Sequence, residues 1–501
     1  MSMKYRVLLL GVSLLIATGR STAQDKPASP TGSLRTKESK QQIVNRLDAV
    51  IPRLLEDGLV PGLSIALIQK GELVWHKGYG VKNAQTKEPV VANTTFEAAS
   101  LSKPVFAYAV LKLVDEGKLD LDTPLTKYLP GNYDVGEDAR INQITARHVL
   151  SHRPGFPNWR RPNGPLTIHF TPGERFSYSG EGFVYLAKVV EKITGEQFND
   201  FMKRSVFVPL GMNDSSYVWQ ASYETQQAFS HSSLGQPTGQ NKSRQVNAAA
   251  SLRTTAQDFG KFLAAISKGV GLKPATWRQM LTPQIKVSES GTNNIFGQPA
   301  KLSESISWGL GWGLQTTGDG VAFWHWGDNG NTKAFVVVYD KQQFGLVVLT
   351  DGANGLTIVP EIVSEAIGGQ QPALSWLKYG SYKSPGRLLL KTILAKGATP
   401  ALIDYRESRK GRPTSDILDE SQMNRLGYDL MGAQRIKDAI EVFRQNVEDY
   451  PQSSNVYDSL AEAYAQDGQK ELAIKNYQRV LELDPKKESA IDALKKLQEK
   501  Q

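Results

Sequence analysis

Slid against itself by 34 positions, the C-terminal part of the sequence pairs Leu426 with Leu460, Leu430 with Tyr464, Ala439 with Ala473, Phe443 with Tyr477 and Pro451 with Pro485. A unit of that length cannot bury its apolar face alone, so units recurring at such a period stack on one another. The alanines in register mark close helix crossings, and the prolines close each unit. The pattern calls for an all-α stack over 420–487, with "ESAIDALKKLQ" as a capping helix in a module spanning 420–501. Two units make a thin stack. The segment around 387–410, inside a helical linker over 371–419, is therefore expected to pack against it. The rest of a 501-residue chain must fold separately, and it is long enough for one large domain.

The N-terminus has a different signature. Lys4 and Arg6 precede the apolar run "VLLLGVSLLIATG", and the small residues Ser21 and Ala23 stand where a signal-peptide cleavage site needs them. The run falls short of the about 20 apolar residues that a spanning helix takes, so a retained anchor is the lesser alternative to a cleaved signal. Residues 1–23 read as a signal peptide and 24–40, rich in Pro, Ser, Thr and Lys, as a flexible linker. The expected location is secreted or periplasmic in a bacterium, with no stable membrane span after cleavage. The chain has no cysteine, which excludes disulfides, a thiol nucleophile and a lipidated cysteine. Its formal charge of +9 is not gathered into a basic block interleaved with aromatics, so no nucleic-acid partner is expected.

Between 41 and 370 the hydrophobic pattern changes period several times. "QIVNRLDAVIPRLLEDG" is apolar at helical spacing and ends at a glycine. "LSIALIQKGELVWHKGYGV" reads as a hairpin turning at Lys70-Gly71. A helix is expected from Ser100 to Gly117, with Phe106, Val110, Leu113 and Val114 on one face. The region of about 120–300 mixes short helices with Gly/Pro-rich loops. Strands then return in "VAFWHWG", "KAFVVVYD" and "FGLVVLTD", before a helix around "VPEIVSEAIG". Strands early, helices in the middle and strands late describe an α+β domain, one antiparallel sheet flanked by helices with an all-helical insertion.

The chemistry starts at "ASLSKPVF", where Ser100 and Lys103 are three residues apart on a predicted helix and so share a face. A serine needs a neighbouring base to become a nucleophile, and lysine can be that base only if its surroundings lower its pKa. The spacing alone is weak: an isolated S-x-x-K is most often a helix cap beside an exposed lysine, and "SWLK" at Ser375 to Lys378 repeats it. Two other stretches supply companions. "TPGERFSYSGEGF" puts Tyr178 on a turn before a helix, and "FWHWGDNGN" puts His325 and Gly327 at the end of a strand. No G-x-S-x-G elbow, H-E-x-x-H or Walker loop occurs. His148 and His152 lie four apart but lack third-ligand cues, so they read as structural or supporting residues, and no metal is expected.

With Ser100-Leu101-Ser102-Lys103, Tyr178-Ser179-Gly180 and His325-Trp326-Gly327 in this order, the chain resembles the serine β-lactamase-like and penicillin-binding family. The likeness is to the branch of AmpC-type β-lactamases, D-alanyl-D-alanine carboxypeptidases and related esterases. "RHVLSHRPGFP", "PLGMNDSSY" and "SLRTTAQDFGKFL" also look like that family, and the resemblance covers roughly 41–370. The C-terminal units resemble tetratricopeptide repeats.

The family resemblance implies a β-lactamase/transpeptidase-like fold in which Ser100 is acylated, Lys103 and Tyr178 move the proton, and no cofactor is used. It implies that His325 binds a substrate carboxylate or supports the proton relay, and that Gly327 lets the strand approach the substrate. The oxyanion would meet the N–H groups of Ser100 and Asp328. Two positions depart from the pattern: Gly180 replaces an asparagine, and His325 replaces a lysine whose charge would be fixed. Both shift the expectation from β-lactams toward peptidase, amidase or esterase substrates. The alternative of a different class is a catalytically inactive scaffold acting through its repeats, which would recruit a protein partner.

Overall fold

Alternation along the late strands decides how the main domain is layered. Phe335, Val337 and Tyr339 enter one core while Val336 and Val338 enter another, so the strand Lys333–Tyr339 is buried on both faces. A sheet covered on both sides reads as a nearly continuous apolar run, as "KAFVVVY" does. The computed structural model describes residues 32–162, 164–297, 301–411 and 418–498. The expected signal peptide lies outside those residues.

The sheet has eight antiparallel strands: β1 (Gly62–Gln69), β2 (Glu72–Gly80), β3 (Ile285–Ser288), β4 (Leu302–Trp308), β5 (Gly313–Thr317), β6 (Gly320–Asp328), β7 (Lys333–Tyr339) and β8 (Phe344–Thr350). Their order is β2-β1-β8-β7-β6-β5-β4-β3, and the register runs from Leu63 opposite Thr350 to Ile68 opposite Gly345. The early hairpin thus closes onto the last strand. Strands β3 to β5 are an addition to the sequence reading. They are short, broken by the Gly309–Gly313 turn, and β3 pairs with a register shift between Lys286 and Ser288, so their alternation is faint.

One face of the sheet carries α1 (Lys40–Gly58) and a late helix Gly355–Ala366; the other carries the helical region, including α2 (Ser102–Asp115), α3 (Gly180–Thr194) and α4 (Ala256–Ser267). The expected one-faced helix from Ser100 is corrected in two respects. A short 3-10 turn, Ala99–Leu101, comes first, and α2 is then buried all round from Ser102 to Leu111. Its two sides are both occupied: Phe106 meets Phe198 and Tyr108 meets Phe262, with ring centroids 4.9 and 5.7 Å apart. A helix enclosed in this way shows no polar stripe.

The C-terminal helices form a third core. With Gly355–Ala366 as α5, they are α6 (Pro385–Lys396), α7 (Ala398–Arg409), α8 (Glu420–Gly432), α9 (Ile436–Asp449), α10 (Ser454–Gln466), α11 (Lys470–Leu483) and α12 (Glu488–Gln498). Helices α8, α9 and α10 each begin 34 residues before α10, α11 and α12 respectively. The module is held to the main domain by an ion pair of Lys391 with Asp57, by Arg387 donating to the Ser233 carbonyl, and by Leu59 and Leu234 packing on its core. Among the described residues no helix is long and apolar enough to cross a membrane.

Candidate active site

Ser100 sits on a strained turn held from three directions. Ala99, immediately before it, has φ of +50°, a left-handed conformation that costs a non-glycine residue about 1–2 kcal/mol. Strand β6 presses on this turn. A Cβ added at Gly327 would lie 2.4 Å from the Ala98 carbonyl oxygen and 3.2 Å from the Ala99 Cβ. The chain's own backbone thus supplies a reason for glycine here, beside the expected approach of the strand to a substrate. Behind the turn, Ser102 donates to the Ala99 carbonyl (2.6 Å) and accepts from the Leu252 N–H (2.9 Å), while the Tyr217 hydroxyl donates to the Ser102 carbonyl (2.6 Å). Ser102 is a buried pin and Ser100 is left half-exposed.

Lys103 is fully enclosed, with Nζ 3.1 Å from Ser100 Oγ and donating to the Ala249 carbonyl at 2.9 Å. It faces the Tyr178 ring, 4.7 Å from the centroid. Burial holds its pKa well below the ordinary lysine value, because an ammonium there would lose its hydration. A neutral amine at the serine is a base, which is the condition the spacing could not supply.

Tyr178 precedes α3, which Ser179 caps by accepting from the Gly182 N–H at 3.1 Å. Its buried hydroxyl has a raised pKa, through burial first, with the nearby Ser100 hydroxyl pulling it partly back. In the resting site Ser100 is near that hydroxyl, but no hydrogen bond of normal geometry holds it among the described residues. The phenol is therefore neutral, and it relays a proton by giving up its own as it takes another. His152 lies flat on the Tyr178 ring, centroids 4.2 Å apart. Its Nδ1 accepts the Ser179 N–H at 3.0 Å, which assigns the ring proton to Nε2.

His325 is fully buried on β6, with Nδ1 2.7 Å from the Trp326 carbonyl. Burial pushes its pKa down to about 3, and any proton on Lys103 would push the same way. The neutral imidazole, its Nδ1–H given to that carbonyl, offers an acceptor, Nε2, and no fixed cation. The Asp328 carboxylate is committed to Lys333, the Tyr379 hydroxyl and the Gly330 N–H, leaving its backbone N–H as the group it can offer.

The structure gives a reason for Gly180. A Cβ there would stand 2.8 Å from the Asn158 carbonyl oxygen and 2.8 Å from the Trp159 ring. Trp159 fills the space an asparagine would use, lies 5.9 Å from Lys103 Nζ and keeps 46% of its surface exposed. Arg160 anchors this loop on Glu181 of α3 (2.8 Å). An indole wall thus replaces an amide. His148 turns away from the site, Nδ1 on the Gln143 carbonyl (3.1 Å), and no metal-binding cluster occurs among the described residues.

Sequence reasoning passed over Trp159, which stands two residues beyond "RHVLSHRPGFP", and Ala249, whose contribution is a carbonyl. Neither type of contribution leaves a spacing to read. Ser100, Lys103, Tyr178, His325 and Gly327, drawn from three distant stretches, do converge here.

The sequence profile of a family described as Beta-lactamase matches residues 47–361. Protein flp of Staphylococcus aureus is 24% identical over 337 residues, covering 63% of this chain and 64% of that protein. The chain therefore spans just under two thirds of that relative. Penicillin-binding protein 4* of Bacillus subtilis is 31% identical over 173 residues, 30% of this chain and 37% of that protein. Among solved structures, the octameric penicillin-binding protein homologue from Pyrococcus abyssi has a TM-score of 0.54 at 23% identity, covering 70% of this chain and 81% of its own. The D-alanine carboxypeptidase AmpC from Burkholderia cenocepacia has a TM-score of 0.53 at 19% identity, covering 65% and 99%. At these identities the structures share a fold.

Proposed function

The chain belongs to the beta-lactamase family, and from that premise we propose that it is a serine hydrolase forming an acyl-enzyme on Ser100 with an amide or ester substrate. The observation that carries this is an enclosed lysine 3.1 Å from a half-exposed serine. Neutral Lys103 takes the hydroxyl proton as Ser100 Oγ attacks the carbonyl carbon. The tetrahedral oxyanion meets the backbone N–H groups of Ser100 and Asp328, where one such donor is worth about 2.7–4 kcal/mol. The proton passes through the Tyr178 phenol to the departing nitrogen or oxygen, which leaves as amine or alcohol. Water then cleaves the acyl ester with the same groups in reverse order.

The substrate class we favour is a D-amino-acid or peptidoglycan-type peptide, or an ester, with β-lactams weaker. Trp159 stands where a side-chain amide would hold a substrate amide, and His325 brings no cation for a β-lactam carboxylate. We also propose export to the periplasm or beyond, and tetratricopeptide-type repeats that engage a protein partner. The test is turnover of D-alanyl peptides, short esters and cephalosporins by wild type and Ser100→Ala. Hydrolysis of a peptide or ester that vanishes in the variant is expected. No turnover, or equal turnover by both proteins, would replace the hydrolase with an inactive scaffold.

A further inference from the structure

Two polar cavities lie between the 247–251 segment, which passes the catalytic lysine, and the helical module, and they share two lining residues. The first, about 660 Å³, is lined by six carboxamide side chains, Gln240, Asn241, Gln245, Asn247, Asn329 and Asn331. It begins beside the chemistry. Ala250 lines it, and the preceding residue, Ala249, accepts the Lys103 hydrogen bond. Asn329, next to Asp328, ties this end together by donating to Glu97 (3.1 Å) and to the Ala250 carbonyl (3.4 Å). The second cavity, about 540 Å³, lies between the 232–238 loop and helix α8, with Arg387, Arg425, Tyr428 and Asp429 on its walls. Thr238 and Asn331 line both cavities, and Asn331 Nδ2 donates to Thr238 Oγ1 at 3.1 Å.

The chemistry of the lining changes along this path. Five of the carboxamides spend one amide atom inside the chain: Gln240, Asn329 and Asn331 donate from their nitrogens, and Asn241 and Asn247 accept at their oxygens. The opposite amide atoms, and both of Gln245, suit the alternating N–H and C=O groups of a peptide. The two charged side chains of the first cavity are engaged: Glu97 by Asn329, and Arg253 by Gln227 and the Asn241 carbonyl. At the far end two guanidinium groups, Arg387 and Arg425, stand against one carboxylate, Asp429. That leaves a positive excess, and guanidinium is the side chain suited to a carboxylate.

We propose that the two cavities form one substrate groove, completed by helix α8 of the C-terminal module, which takes an extended peptide bearing a carboxylate remote from the scissile bond. This rests on the serine hydrolase reading and assigns the module a part in substrate selection. A peptide of about six residues, about 20 Å when extended, is the length to test.

Two matched pairs of peptide substrates serve as probes. In one, a succinyl or a neutral acetyl cap sits on the acyl side of a thioester. In the other, a free carboxylate or a carboxamide ends the leaving side of a depsipeptide. The wild-type protein is expected to prefer the anionic member of at least one pair by about tenfold in kcat/KM, equivalent to about 1.4 kcal/mol. Arg425→Glu should bring that ratio to one or below, and Asp429→Asn should raise it, each variant being checked for a native circular dichroism spectrum. Should Arg425→Glu misfold, Arg425→Gln takes its place. No preference in either pair, or a preference that survives the Arg425 substitution, overturns the groove. p-Nitrophenyl acetate, too small to reach the groove, separates the two levels: its turnover should be unchanged in Arg425→Glu and lost in Ser100→Ala, whereas failure of wild type to turn over this ester and every peptide probe would sink the hydrolase reading itself.

Discussion

The chain carries serine-x-x-lysine twice, and the two copies have come to opposite ends. At Ser100 the spacing straddles a 3-10 turn and the start of an enclosed helix, so Lys103 has no access to water. At Ser375 it falls in the short helix Pro372–Leu377, and Lys378 lies just past the end in a left-handed cap (φ 56°). Lys378 is exposed and its Nζ reaches the Ser290 carbonyl at 2.9 Å. The same spacing leaves one lysine enclosed and the other in water. Only burial turns a reachable lysine into a base, since a hydrated ammonium keeps its proton at neutral pH.

That contrast can be broken in several ways. Lys103→Ala should lower kcat/KM for a small ester by about 10²–10⁴-fold, the range for a lost general base, whereas Lys378→Ala should stay within about twofold. Comparable losses from both would mean that burial is not what separates the copies. Tyr178→Phe, which keeps the ring against His152 and removes only the hydroxyl, should cost about 10²-fold, read in pre-steady-state acylation. A rate near wild type would take the phenol out of the proton path.

Smaller effects sharpen the same point about packing around the serine. Gly327→Ala forces a methyl group against the Ala98 carbonyl, and overpacking of this kind costs about 1–3 kcal/mol, measurable as a lower urea midpoint with acylation slowed in parallel. Gly180→Asn should be harmful alone but partly rescued by Trp159→Ala, because the two compete for one space. Strict additivity in that double-mutant cycle would contradict the packing.

The pH dependence of stability reads the same burial from two histidines. His325, at about 3, and His152, also held low, are neutral in the folded protein and protonate near 6.5 once unfolded. Their contribution is therefore complete above about pH 6.5 and is lost as pH falls toward the folded values. Urea midpoints at pH 7.5 and 5 should differ in that direction, and less so in His325→Gln.

The parts of the fold that could be read from sequence are those with long, unbroken periodicity: α1, the β1–β2 hairpin, β6 to β8, α5 and the recurring C-terminal register. Strands β3 to β5 escaped because a glycine turn and a register shift interrupt their alternation. The all-round burial of α2 escaped because burial is a property of neighbours far along the chain. The site divides in the same way. Residue types that announce chemistry, at Ser100, Lys103, Tyr178 and His325, could be singled out from motifs in order. The Trp159 indole beside Gly180 and the Ala98 carbonyl against Gly327 could not, because each depends on which backbone atoms the fold brings within van der Waals contact.

The most direct measurement is covalent labelling with a fluorophosphonate, followed by peptide mapping of the adduct. A buried neutral Lys103 predicts one modified residue, Ser100, with labelling retained in Ser375→Ala and absent in Ser100→Ala. An adduct on Ser375, or equally weak labelling of wild type and Ser100→Ala, would contradict it.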